Sequence, residues 1–473
     1  MTIDAPPIAE PVAQVSGGAG EVPAPARPRR PVPFWLWLVP ITLLGGIIRL
    51  IYAVFWRFDA GLQYDGPAYQ SRAVFLRRGL SFVNTDDWYF HHLASQGAVH
   101  PPGNTLLIAL GQQLGLRSSH QSQLLGCLIG TITIVVVGYL GKEVGGRVVG
   151  IVAATLAAIG PGFWSFDPTV MAETPGQLIT AVVLLLAYKF WKTPTLRLAA
   201  ALGGVTALGA LTRSELTILL GILVIPICFT ARGTTKQAVS RVAVALLWAG
   251  MVLGPWVGWN LVRFEHPVTV ASGIDLSIAY AQCDGTWYGP DTGYWNVFCG
   301  SEIPRDPKNA LADESEIGRQ YRAAAGKYIA AHRARWPVVI AARAGRTLSL
   351  YPPNQQVNVE HERESRELPV LWGATFVTWL CYLLAIVAFV KPPRSRRHLL
   401  PLLMPLAAGV AGAAITFGTS RYRSAGEVGL VVLAGVGVDA ILRTWNASAS
   451  TRQAADGVGT DTDPGSGAAP APT

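Results

Sequence analysis

Long apolar runs recur through this 473-residue chain, and no other feature restricts its fold as much. A bilayer's hydrocarbon core, ~30 Å thick, needs roughly 17–25 apolar residues of helix to cross it. Runs close to this kind stand at 33–55, 121–140, 148–165, 175–191, 196–211, 216–229, 242–261, 369–390, 399–417 and 428–442. In lipid every backbone N–H and C=O must be paired within the structure, which leaves helices and closed barrels. These runs are continuously apolar, without the alternation of a barrel strand, so helices are expected. Charged residues make up 14% of the chain, against about 25% in soluble domains, which excludes a large soluble enzyme. The expected fold is an all-α polytopic membrane protein.

The formal net charge of +9 would suggest a nucleic-acid partner in a soluble protein. Here Lys and Arg fall in short loops between apolar runs, where they set membrane orientation, and no basic stripe with interleaved aromatics is present. No nucleic-acid partner is expected. One piece, PPGNTLLIALGQQLG at 101–115, has at about 14 residues the length of a re-entrant or interfacial segment. If it does not cross, the basic loops 142–147, 189–197, 231–241 and 391–398 all share the side of the N-terminus, as cytoplasmic loops should. If it crosses, all of them except the last lie outside, unless a second short helix compensates. Ten spans, eleven at most, with both termini cytoplasmic in a plasma membrane is the expected topology.

The expected organisation is a disordered cytoplasmic tail (1–32, ending in ARPRR), a transmembrane module (33–264) with a first outer loop at 57–102, an outer subdomain (265–368), further transmembrane helices (369–442) and a second tail (443–473). Cys127, Cys228 and Cys381 lie inside apolar runs, while Cys283 and Cys299 share the long outer segment. No CxxC or Cys/His ligand spacing exists, so no metal site is expected from the sequence. Walker A, GxSxG, HExxH and strand-linked GxGxxG patterns are also absent.

Once the loops are sorted, ionisable residues collect at the outer face. YDGPAYQSRA holds Asp65, Tyr69 and Arg72; AVHPPG places His100 before a helix start; FDPTVMAETP carries Asp167 and Glu173; LTRSE carries Arg213 and Glu215; and GTSRYRSAGE carries Arg421 and Arg423. Each has an ordinary structural reading: a turn at Asp-Gly-Pro, a Pro-Pro helix start, an acid-tolerant loop, an interfacial arginine. Together they form a cluster at a membrane surface, which is where function concentrates.

The order D-x3-Y-x2-R after the first span, HPPG opening a helix, DP…E between spans, LTRxE in mid-chain, PWxxWN at 255–260 and a late RYR resembles the bacterial GT-C glycosyltransferases, in particular the branch of protein O-mannosyltransferases and aminoarabinose transferases. The segment ARWPVVIAARAGRTLSLY, with Arg343 and Arg346, fits the part of that family that precedes a later span. The resemblance extends over most of 33–442. It implies a GT-C bundle of 10–11 helices and a polyprenyl-phosphate sugar as donor substrate, with inverting transfer to a protein, polysaccharide or lipid of the cell envelope. It further implies Asp65 as general base, with Asp59 as competitor. Donor-phosphate ligands would come from His100, Arg213, Arg346, Arg421 and Arg423, and acceptor or sugar contacts from Tyr69, Asp167 and Glu173. His100 stands where the family often has Lys or Arg. The requirement for a divalent metal stays open.

An extracytoplasmic location permits a Cys283–Cys299 disulfide, worth about 3 kcal/mol in the chain-entropy model. Segment 311–336 reads as an amphipathic helix at the membrane surface. The alternative function is a lipid-linked sugar flippase or other multi-pass transporter. Such proteins carry internal repeats and ionisable residues within spans; no repeat is found, and the spans read as free of such charges.

Overall fold

The computed structural model describes residues 32–301, 313–393 and 395–458, and among these the fold is all-α, with one isolated bridge between Val83 and Gln96. The expected tail at 1–31 and the end of the other, from 459, lie outside the described residues. Among the described residues, six helices are long and apolar enough to cross a membrane: Phe34–Arg57, Ser119–Gly145, Thr235–Arg263, Leu368–Val390, Arg396–Ile415 and Ser420–Ala449. A seventh candidate, Arg147–Ile159 with Pro161–Thr169, is bent by 58°. The bend falls at Gly160, which adopts an extended ψ of 121° because the following proline disfavours the helical region.

The ten expected spans each coincide with helix, but three more fall short of the length-and-apolarity criterion. Leu196–Thr212 and Ser214–Thr230 are short, separated by extended backbone at Arg213. Glu173–Lys192 is long enough but carries Glu173, Lys189 and Lys192 at its ends. The central element is Ser420–Ala449, of which 78% of the apolar window is buried. It packs on the Arg147–Ile159, Leu368–Val390 and Arg396–Ile415 helices, and Gly429 meets the Leu402 carbonyl so closely that a Cβ would stand 1.8 Å from it. Such backbone approach through small residues is how helices associate where lipid removes the hydrophobic drive.

The two ends of the bundle differ. At one end Phe58, leaving the first helix, stacks on His120 at the start of Ser119–Gly145, with centroids 4.3 Å apart, and Arg57 pairs with Glu367 at 3.2 Å. The chain between them leaves and returns at the same end, so the Pro102–Gln113 helix does not cross. At the other end Lys192 pairs with Glu143 at 2.5 Å, Lys142 lies over Phe34, Arg147 over Trp37, and Lys391 bonds Thr444. The basic loops thus gather opposite the end that carries the candidate site.

The expected outer subdomain consists, in its described residues, of short helices between Gly273 and Glu364. Cys283 and Cys299 are joined by a disulfide there. Within 311–336 the helix is Glu314–Ala331, started by the Asp313 carboxylate accepting from the backbone N–H groups of Ser315 and Glu316.

Candidate active site

The loop after the first helix turns through Gly61 and Tyr64, both at positive φ, and delivers Asp65 to the N-terminus of the Gly66–Arg77 helix. Pro67 stands in the first turn, where its missing N–H costs nothing. Gly66 cannot carry a side chain, since a Cβ there would meet the Thr169 carbonyl at 2.7 Å. Asp65, Tyr69 and Arg72 follow one another at helical spacing and share one face. His100 enters from the bend before Pro102–Gln113. Gly103 seats that helix against the Leu211 carbonyl, at the end of Leu196–Thr212, from which Arg213 projects. Glu173 opens its own helix, and Arg421 comes from the 3-10 turn Ser420–Arg423.

Glu173 is the hub. It is fully buried, and its Oε1 accepts from Arg213 Nη1 at 2.7 Å and from Arg421 Nε at 2.8 Å. Arg213 Nε also donates to Glu215 at 2.5 Å. Arg421 Nη2 donates to Asp65 Oδ2 at 3.1 Å, and His100 Nε2 lies 3.5 Å from that same oxygen. Arg72 Nη1 stands 2.7 Å from His100 Nδ1, and the Tyr69 ring packs on the imidazole at 4.8 Å. Besides the buried Glu173 Oε2, which has no hydrogen-bond partner, two part-exposed groups keep unspent capacity. Asp65 is 35% exposed and its Oδ1 has no hydrogen bond among the described residues; Arg421 is 22% exposed and its Nη1 likewise has none. Burial disfavours charge on Asp65, and the Arg421 guanidinium 3.1 Å from Oδ2 favours it.

All of these residues except Arg72 line a cavity of about 510 Å³. Ile218, Ile274, Ile415 and Phe417 supply an apolar part of its wall, and Tyr280 and Trp295 add aromatic surface from the outer subdomain. Of the residues singled out from sequence, Asp65, Tyr69, His100, Glu173, Arg213 and Arg421 therefore meet in one place.

Asp167, Arg346 and Arg423 do not line it. Asp167 is fully buried, pairs with Arg49 Nε at 2.6 Å and accepts from Thr174 at 2.8 Å. Arg346 donates to the carbonyls of Thr292 and Pro290 and to Gln355 and Gln356, tying the subdomain together. Arg423 is held by Glu427, the Thr347 carbonyl and Ser349. Arg49 corrects the reading of charge-free spans: it lies inside the first apolar run, buried, with three carbonyls as further partners. Its signal was a lone arginine in a run otherwise without charge. Arg72, Glu215, Tyr280 and Trp295 are site residues that the family resemblance did not assign, and for Arg72 the D-x3-Y-x2-R spacing was the available signal.

A family model, dolichyl-phosphate-mannose-protein mannosyltransferase, matches residues 99–259, about a third of the chain, including His100, Glu173 and Arg213. No curated protein matches. Among solved structures, the chain is similar to the archaeal oligosaccharyltransferase AglB from Archaeoglobus fulgidus in complex with an inhibitory peptide and a dolichol-phosphate. The TM-score is 0.54 at 13% identity, covering 88% of this chain and 52% of that one. The A. fulgidus enzyme tethered to an acceptor peptide gives 0.54 at 15%, covering 86% and 50%. Its complex with Zn and sulfate gives 0.53 at 12%, covering 86% and 49%. The chain spans about half the length of the structures it matches. What the chain shares with these structures is the fold, and the family model falls on the segment that carries HPPG, DP…E and LTRxE.

Proposed function

We propose that this chain is an integral-membrane glycosyltransferase that moves a sugar from a polyprenyl-phosphate donor to a cell-envelope acceptor on the extracytoplasmic face, with inversion. The observation that carries this reading is the pairing, in one cavity, of an ionised carboxylate with a free oxygen and a guanidinium with a free N–H edge. The acceptor oxygen attacks the anomeric carbon while its proton passes to Asp65 Oδ1. The bond from that carbon to the phosphate oxygen breaks, and polyprenyl phosphate leaves with the bonding pair. A positioned base contributes about 10²–10⁴ in rate. Arg421 Nη1 meets the leaving phosphate, for which a guanidinium fork is well suited. Glu173 and Arg213 orient Arg421, and the apolar wall receives the start of the prenyl chain. The basic loops at the opposite end support an extracytoplasmic site.

A divalent ion fits these residues poorly. Arg421 occupies the position between Asp65 and Glu173, and among the described residues no three His, Cys, Asp or Glu side chains converge for a metal. No step is routed through one. The test is transfer from a radiolabelled polyprenyl-phosphate sugar to an envelope extract by the purified protein. Asp65→Asn should lower kcat by about 10²–10⁴. Unchanged transfer would remove Asp65 as base, and flux of the lipid-linked sugar across liposomes without any transfer would favour a flippase.

A further inference from the structure

His100 is held on three sides, and the side opposite Asp65 decides its chemistry. A guanidinium offers only N–H donors and stays charged throughout the physiological range. With Arg72 Nη1 at 2.7 Å, His100 Nδ1 must therefore be the acceptor. A neutral imidazole has one N–H, so it sits on Nε2, the nitrogen 3.5 Å from Asp65 Oδ2. That distance is longer than an N–H···O hydrogen bond, as is common before substrate closes a site. A second proton on the ring would point an N–H at a buried cation. Arg72 has nowhere else to turn: its side chain is buried and its Nε has no partner.

We propose that Arg72 is a positioning residue that fixes His100 as the neutral Nε2–H tautomer, so that the ring steadies Asp65 Oδ2 and leaves Oδ1 to take the acceptor's proton. This rests on the glycosyltransferase reading above. It gives His100 a different role from the cationic phosphate ligand implied by its place before Pro-Pro. The imidazole cannot intercept the acceptor proton, because its only lone pair is committed to Arg72. The charged groups facing this pair are Asp65 on the same helix, Glu173, Arg213 and Arg421 from the other walls of the cavity, and Glu314, which reaches Arg72 electrostatically from the outer subdomain.

Two measurements on the full chain in lipid test the assignment. In ¹⁵N-histidine NMR, with His100→Asn identifying the signal, the wild type should show a neutral Nε2–H ring, whereas Arg72→Met should show exchange with other states. A proton on Nδ1 in the wild type would overturn the proposal. In kinetics, Arg72→Met should lower kcat roughly 10- to 100-fold with donor KM unchanged. It should also add an acid limb near about pH 6.5, where a free imidazole takes its second proton. Arg72→Lys, also a pure donor, should restore the profile, and Arg72→Met with His100→Asn should be no worse than His100→Asn alone. Multiplying losses with an unchanged pH profile would make Arg72 a packing residue and sink the idea. The NMR result needs no turnover, so failure to transfer from any lipid-linked donor would defeat the glycosyltransferase reading and leave the tautomer assignment standing.

Discussion

Arg421→Lys separates charge from geometry at the centre of the site. The guanidinium uses Nε on Glu173 at 2.8 Å, Nη2 on Asp65 at 3.1 Å, and keeps Nη1 free. A lysine ammonium retains the charge but is a single point, and cannot hold two carboxylates and a phosphate in one plane. Removing one preorganised donor at developing negative charge costs about 10²–10³ in kcat, or about 2.7–4 kcal/mol. The fold should survive. Glu173 keeps Arg213 at 2.7 Å, and Asp65 keeps His100 and remains partly exposed. No buried carboxylate is stripped bare, so the loss of stability should stay near the 1–3 kcal/mol of a disturbed polar group. It should not reach the 3–5 kcal/mol of an abandoned buried charge. The assay is steady-state transfer with labelled donor, run beside a thermal unfolding curve on the same preparation. Arg421→Lys transferring within a few-fold of wild type would refute the use of the fork. A collapse of unfolding midpoint and activity together would show that Arg421 serves the fold rather than the chemistry.

Two further substitutions test the surroundings. Arg49→Met leaves Asp167 buried with only Thr174 and should cost about 3–5 kcal/mol. Combined with Asp167→Asn the loss should be smaller than the sum, since the pair fails together, and additive denaturation midpoints would contradict the coupling. Glu364 is buried beside Glu360, and burial first, then that neighbouring charge, pushes its carboxyl up to about 7. The native state then binds more protons than the unfolded chain from about pH 4.3 to 7, so stability falls across that window by about 4 kcal/mol and is flat above it. Glu364→Gln should abolish this slope and be the more stable form at pH 8. Parallel stability–pH curves for the two proteins would count against it.

The candidate site was legible in the sequence to the extent that charge placement along an apolar chain is legible. Asp65, His100, Glu173, Arg213 and Arg421 each sit where an apolar run ends, and the basic loops assign those ends to one face. Which of them touch was not legible, because the contacts from Arg421 to Glu173 and to Asp65 close over 248 and 356 residues. Asp167 and Glu173 look alike locally, six residues apart in one loop. Gly126 and Gly130 make the difference: a Cβ at Gly130 would stand 1.9 Å from the Asp167 carboxylate, so the Ser119–Gly145 helix is hollowed to admit that side chain, which turns inward to Arg49. The shape of the spans was hidden for a related reason. Composition registers apolar runs, whereas the Gly160–Pro161 bend and the extended Arg213 depend on backbone conformation.

The arginines show what turns a charge into a reagent. Arg49 and Arg346 spend all three nitrogens on acceptors of the protein, and such residues hold elements together. Arg213 does the same with Glu173, Glu215 and the Arg421 carbonyl. Arg421 does not, and its partners make the remaining capacity useful. Asp65, Glu173 and Glu215 balance Arg72, Arg213 and Arg421 as long as His100 is neutral. When the acceptor's proton reaches Asp65, one negative charge disappears from this balance and Arg421 is left with excess positive charge. On the proposed reaction this happens as the phosphate oxygen gains the electron pair of the breaking bond, in a cavity where such a field is little screened. A single guanidinium shared between base and leaving group thus links proton removal to phosphate departure, which a neutral His100 permits and a cationic one would blunt.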